Sequence, residues 1–169
     1  MKDVIKKFHK SLSKEEYLPS YNMARNCDLV FAEALTHEQF ENLNLNKSEY
    51  TVYENNSDYL IYRKNYLTIS EGDIIFCKGD FIFELFSILN KLKDVDNISI
   101  LTHQMAQPAI GKELFELRPS CVKYWYALNV DHEDPFLVPV PLGLANEYAN
   151  ANLQIEDIQN TLNTSREVY

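Results

Sequence analysis

The chain has 169 residues, 46% of them hydrophobic, enough to bury the core of one ordinary domain and too many for a disordered polymer. Lys and Arg number 16 against 25 Asp and Glu, a net charge of -9, which opposes binding to nucleic-acid phosphates or to anionic lipid. No apolar run approaches the roughly 20 residues that cross a bilayer, and residues 1–10 lack a signal-peptide core, so a cytoplasmic protein is expected.

Residues 4–12 carry an apolar helical stripe at Val4, Ile5, Phe8 and Leu12, and Ser13 with Glu16 has the spacing of a capping box. Residues 28–34 (DLVFAEA) read as a short strand, and Thr36 with Gln39 opens a helix through about Leu43. The runs 50–53 and 59–63, joined by Glu54-Asn55-Asn56-Ser57-Asp58, read as an antiparallel pair at a sheet edge. Residues 73–77 (DIIFC) form a buried strand, Asp80 is placed to cap a helix through about Lys93, and 98–101 (ISIL) form another buried strand. The helix stripe is Phe81, Leu85, Ile88, Leu89 and Leu92. Residues 122–128 and 136–140 complete the sheet, with Pro139 and Pro141 restricting the last strand to an edge and Gly143 easing the chain out. The fold expected is α/β: a mostly parallel sheet with flanking helices and an antiparallel edge hairpin.

Residues 97–146 hold the candidate chemistry, because only there do buried strands end repeatedly in polar groups, and loops at carboxyl ends of strands are where open α/β sheets bind ligands. His103 and Gln104 follow one strand, where a histidine can serve as general base or simply fix the loop path. Asn129, Asp131, His132, Glu133 and Asp134 follow the next, as base and hydroxyl ligands or as a solvated turn. Trp125 can stack a sugar ring or fill the core, and Asn146 can contact a ligand or cap a helix. Arg25 and Asp28 flank the first strand, with an ion pair as the plain reading and an anion clamp as the other.

No nucleotide-binding glycine loop, nucleophile elbow or HExxH is present, and no His, Cys or carboxylate spacing suggests a metal. The cysteines Cys27, Cys77 and Cys121 form no CxxC pair and read as reduced thiols.

The run PSCVKYWYALNV, the DHEDP turn and LVPVPLGLAN resemble the exostosin-like glycosyltransferases of bacterial and viral polysaccharide and surface-glycan synthesis, over residues 119–146, with DIIFCKGDFIFELF and ILTHQ fitting upstream. The resemblance implies a Rossmann-like acceptor-side domain over residues 1–148, half of a GT-B architecture, and a linker or tail over 149–169 leading toward a donor domain. It implies a glycan acceptor as partner and a cleft, facing the donor half, lined by His103, Gln104, Asn129, Asp131 and Asn146. Together with the residue reading, this makes His103 and Asp131 the expected catalytic residues and Gln104, Trp125, Asn129 and Asn146 the expected substrate contacts. It implies no cofactor in this chain, the nucleotide sugar being held by a second domain or partner chain. Gln104-Met105-Ala106 departs from the small polar or acidic pair that follows TH in the family. The other reading is a non-catalytic glycan- or protein-binding module on the same fold.

Overall fold

The computed structural model describes residues 19–105 and 109–143, together with Tyr148 and Asp157. The helix expected over 4–12, the Ser13–Glu16 capping pattern, Asn146 and nearly all of the 149–169 tail lie outside the described residues.

Seven strands form one sheet: β1 (Leu29–Leu35), β2 (Tyr50–Asn55), β3 (Leu60–Lys64), β4 (Ile74–Lys78), β5 (Ile98–His103), β6 (Val122–Ala127) and β7 (Leu137–Pro139). Their order is β2-β3-β1-β4-β5-β6-β7. The β1-β4, β4-β5, β5-β6 and β6-β7 pairs are parallel, and the β2-β3 hairpin joins β1 antiparallel. The α/β class, the mostly parallel sheet and the antiparallel edge pair are thus as expected, and the parallel strands deliver their carboxyl ends to one edge.

The helices are α1 (Ser20–Arg25), α2 (His37–Asn42), α3 (Ile82–Leu89) and α4 (Lys112–Glu116). Thr36 caps α2 as anticipated: its hydroxyl accepts the Gln39 N–H while the Gln39 side chain accepts the Thr36 N–H, both at 3.1 Å. Asp80 does not cap α3. Its carboxylate neutralises Lys78, a 3-10 turn (Gly79–Phe81) comes first, and the helix then stops at Leu89. Left-handed backbone angles at Asp94 and Asn97, φ 59° and 58°, keep residues 94–97 out of any continuation of it.

Alternation along the strands divides the core. On one face Ile75, Cys77, Ile98, Ile100, Trp125 and Ala127 pack beneath the helix residues Ile82, Leu85, Phe86, Leu89 and Phe115. On the other, Met23 and Ala24 of α1 cover Phe76, with Val30 and Leu101 alongside. Next to them Leu35, Leu60 and Tyr62 pack against Phe40 and Leu43. The last strand is the edge that its prolines demand, and Gly143 turns the chain out with φ 72°.

The buried α1–β1 contact is polar. Glu33, in mid-strand, is wholly buried and ion-pairs with Arg25, whose guanidinium also lies over the Tyr21 ring at 4.8 Å. Arg25 is therefore a structural ion-pair partner, and Asp28 accepts the Ile74 N–H at 2.8 Å, locking the starts of β1 and β4 together.

Candidate functional site

The carboxyl edge of the parallel strands offers two hollows side by side. The first is an open groove of about 880 Å3, formed where β6 passes through residues 128–136 into β7. Asp131, His132, Glu133 and Asp134 line it with Val130, Leu137 and Pro139. Asp134 is occupied in the turn: its carboxylate accepts the Phe136 N–H at 2.8 Å and its carbonyl the Leu137 N–H at 3.1 Å. His132 leans on Phe115, ring centroids 5.8 Å apart. Asp131 and Glu133 are exposed and have no ion-pair partner among the described residues.

The second hollow, of about 370 Å3, is apolar and lies between α3 and α4 over the ends of β4 and β5. Ile82, Phe83, Met105, Ile110, Leu114 and Leu117 form its walls, with Asp80 and Glu113 also in the lining. Gly79 is required beside it, since a Cβ there would lie 2.5 Å from Cβ of Met105. A backbone bridge lies between the hollows: Ile110 N–H donates to the Asn129 carbonyl (2.7 Å), and Asp131 N–H donates to the Ile110 carbonyl (3.0 Å). Asn129 and Asp131 thus build this wall with their backbones, and the Asp131 side chain faces the groove.

The remaining expected site residues sit elsewhere, for identifiable reasons. Trp125 is wholly buried; it packs edge-on to Phe86 with centroids 5.4 Å apart, and its indole N–H donates to Thr102 Oγ1 at 2.9 Å. Trp125 contributes to the floor of the apolar pocket, but with no solvent-exposed ring surface it offers no face for a sugar to stack on, so the stacking role is corrected to a core one. Gln104 is corrected likewise. Its carboxamide accepts the Ala34 N–H (2.7 Å) and donates to the Ala34 carbonyl (2.9 Å) and to Ser20 Oγ (2.8 Å). Beyond Ala32 the β1-β4 pairing has ended, and this side chain takes the place of the missing strand. The demand is strong enough to hold Gln104 at φ 55°, a left-handed conformation for a residue with a Cβ. Replacing Gln104 with alanine strands the Ala34 peptide groups and is expected to cost about 2 kcal/mol in urea unfolding, with Gln104→Glu failing to restore it because a carboxylate cannot donate to the Ala34 carbonyl.

His103 follows Thr102 on β5 and so projects from the opposite sheet face. It is only 3% exposed, and Nε2 lies 3.1 Å from the Leu142 carbonyl. A carbonyl only accepts, so Nε2 carries the proton and Nδ1 keeps a lone pair without a partner among the described residues. Burial lowers the pKa below the ordinary histidine value against the pull of the Leu142 and Pro141 carbonyls, so the ring is neutral at pH 7. A sealed imidazole reaches no acceptor in solution, and the structure assigns His103 to holding the exit of β7. His103 is not among the residues that line the Asp131 groove, and Asn146 lies outside the described residues.

Two features escaped the sequence reading. The Phe83–Leu114–Leu117 pocket is assembled from helices distant in sequence. Glu33 had a signal, an acid in the middle of an apolar strand run with an arginine eight residues before it. Among the described residues no three His, Cys, Asp or Glu side chains could hold a metal ion, and no helix is long and apolar enough to cross a membrane. Comparison with protein-family models, curated proteins and solved structures found no match to this chain.

Proposed function

We propose that this chain is the Rossmann-like, acceptor-side half of an exostosin-like glycosyltransferase, presenting a glycan in the Asp131–Glu133 groove to a nucleotide sugar held by a second domain or partner chain. The observation that carries this reading is the groove itself. It lies at the carboxyl edge, within the 119–146 stretch that resembles the family, and its two exposed carboxylates suit paired sugar hydroxyls.

Charge supports the proposed division of labour. Neither hollow is lined by Lys or Arg, so a diphosphate would meet carboxylates with no cation to offset its charge, whereas an uncharged glycan meets hydrogen-bond acceptors. In the assembled site Asp131 takes the proton of the acceptor hydroxyl as that oxygen bonds to the anomeric carbon. The anomeric bond to the diphosphate breaks, and the diphosphate leaves on the donor side.

Calorimetric titration with neutral oligosaccharides tests the acceptor half of this reading. Asp131→Asn combined with Glu133→Gln is expected to weaken binding at least tenfold while changing stability by less than about 0.5 kcal/mol, since both side chains are exposed. Nucleotide sugar added to this chain alone is expected to give no transfer. Transfer under those conditions would overturn the division into halves, and oligosaccharide binding that persists unchanged in the double variant would overturn the groove assignment.

A further inference from the structure

The acceptor reading leaves the neighbouring apolar pocket without a task. Phe83 and Leu117 stand at it 58% and 62% exposed, although each could have been a polar residue at no cost to the core. Exposed apolar side chains around a concavity of this size mark a binding site more often than a scattered surface leucine does. The two hollows meet at the Ile110–Val130 bridge and at the paired Trp125 and Leu137, with Ile110 and Trp125 lining the pocket and Val130 and Leu137 the groove. A ligand entering both hollows would cross at the Ile110–Val130 bridge.

We infer that the carboxyl edge takes an amphiphilic glycoside: its sugar rests on Asp131 and Glu133, and a linear, uncharged aliphatic aglycone crosses the bridge into the Phe83–Leu114–Leu117 pocket. This rests on the acceptor reading of the groove and adds the class of acceptor. Charge narrows the link between the two parts. A phosphate-linked lipid would set its anion between Glu113 on one side and Asp131 and Glu133 on the other, with no lining cation, while an ether-type glycosidic oxygen is neutral. Mostly apolar walls favour a hydrocarbon tail, and each methylene taken from water contributes about 0.8 kcal/mol, roughly fourfold in affinity.

The test is calorimetry on the full chain with methyl, hexyl and octyl glycosides of glucose, galactose and N-acetylglucosamine below their micellar concentrations, alongside hexanol and octyl phosphate. Hexyl glycosides are expected to bind at least thirtyfold tighter than methyl glycosides, about half the logarithmic gain of full burial of five methylenes. Leu117→Asp and Phe83→Asp, both at exposed positions, should each reduce that gain and leave methyl glycoside binding unchanged. Asp131→Asn with Glu133→Gln should weaken the methyl and hexyl compounds by the same factor. Methyl glycosides that bind with no gain from the tail would overturn this inference and leave the acceptor reading standing. Hexanol binding that a sugar does not improve, or no binding of any glycoside, would overturn both. Octyl phosphate binding as tightly as the octyl glycosides would overturn the neutral link.

Discussion

Trp125→Ala is expected to destabilise the protein by about 3–5 kcal/mol, measured as a lower urea midpoint. The indole is the largest wholly buried side chain, wedged between β6 and the helices against Phe86 and Phe115, and its removal opens a cavity that the sheet cannot close. It also takes the donor from Thr102, whose hydroxyl is itself buried. Trp125→Phe separates the two effects: it keeps most of the volume and loses the hydrogen bond, so a smaller loss of about 1–3 kcal/mol is expected. Functionally, a fall in saccharide binding by Trp125→Ala reports unfolding unless the variant is shown to be folded. Trp125→Phe that unfolds as readily as Trp125→Ala would show that the hydrogen bond and not the volume dominates.

Arg25→Ala is expected to cost about 1–3 kcal/mol near pH 7, because Glu33 loses its charge and hydrogen-bond partner and stays buried only by holding a proton, and the loss grows as pH rises and that proton becomes harder to keep. Burial raises the Glu33 pKa, and the Arg25 charge and hydrogen bond pull it down only in part, leaving it at about 7 against an ordinary 4.5. The sign follows from proton binding. Between pH 4.5 and 7 the folded chain holds a proton at Glu33 that the unfolded chain has released, so this group makes stability fall as pH rises through that window, by up to about 3 kcal/mol. His103 works in the opposite direction: burial disfavours its charged form, so acidification below its ordinary pKa costs stability. Comparing wild type with Glu33→Gln in urea titrations from pH 4.5 to 8 isolates the carboxyl group, and the variant should lose the Glu33 slope while retaining the histidine one. In Arg25→Ala the window should extend above pH 7, since the group that lowers the Glu33 pKa is gone. A wild type and a Glu33→Gln variant with identical pH profiles would show that Glu33 titrates as it does unfolded.

Much of the architecture was legible because its signals are local. The Thr36–Gln39 box, the Glu54–Asp58 hairpin turn and the apolar runs at β4 and β5 each state their conformation within a few residues. Where local signals compete, the sequence alone misleads. Asp80 has the residue type of a helix cap, but Lys78 two residues earlier claims its carboxylate, and the helix starts later and ends sooner than its apolar stripe suggests. The candidate site divided on the same principle. Asp131 and Glu133 follow a strand end and stay exposed, as their charge requires, whereas Gln104 looks equally available in sequence and is consumed by an unpaired peptide 70 residues away.

By itself, then, the sequence determined the α/β class, the edge hairpin and the stretch of chain that reaches the carboxyl edge of the parallel strands, since periodicity, turn chemistry and the prolines of β7 depend on neighbours alone. Only the tertiary structure decided which polar residues at that edge are free. Burial and partner choice are set across the sheet: Trp125 by the helices above it, His103 by the Leu142 carbonyl, and Gln104 by the point at which β4 leaves β1. The apolar pocket beside the groove was invisible for the same reason, because Phe83 and Leu117 are ordinary helix-surface residues until α3 and α4 are brought together.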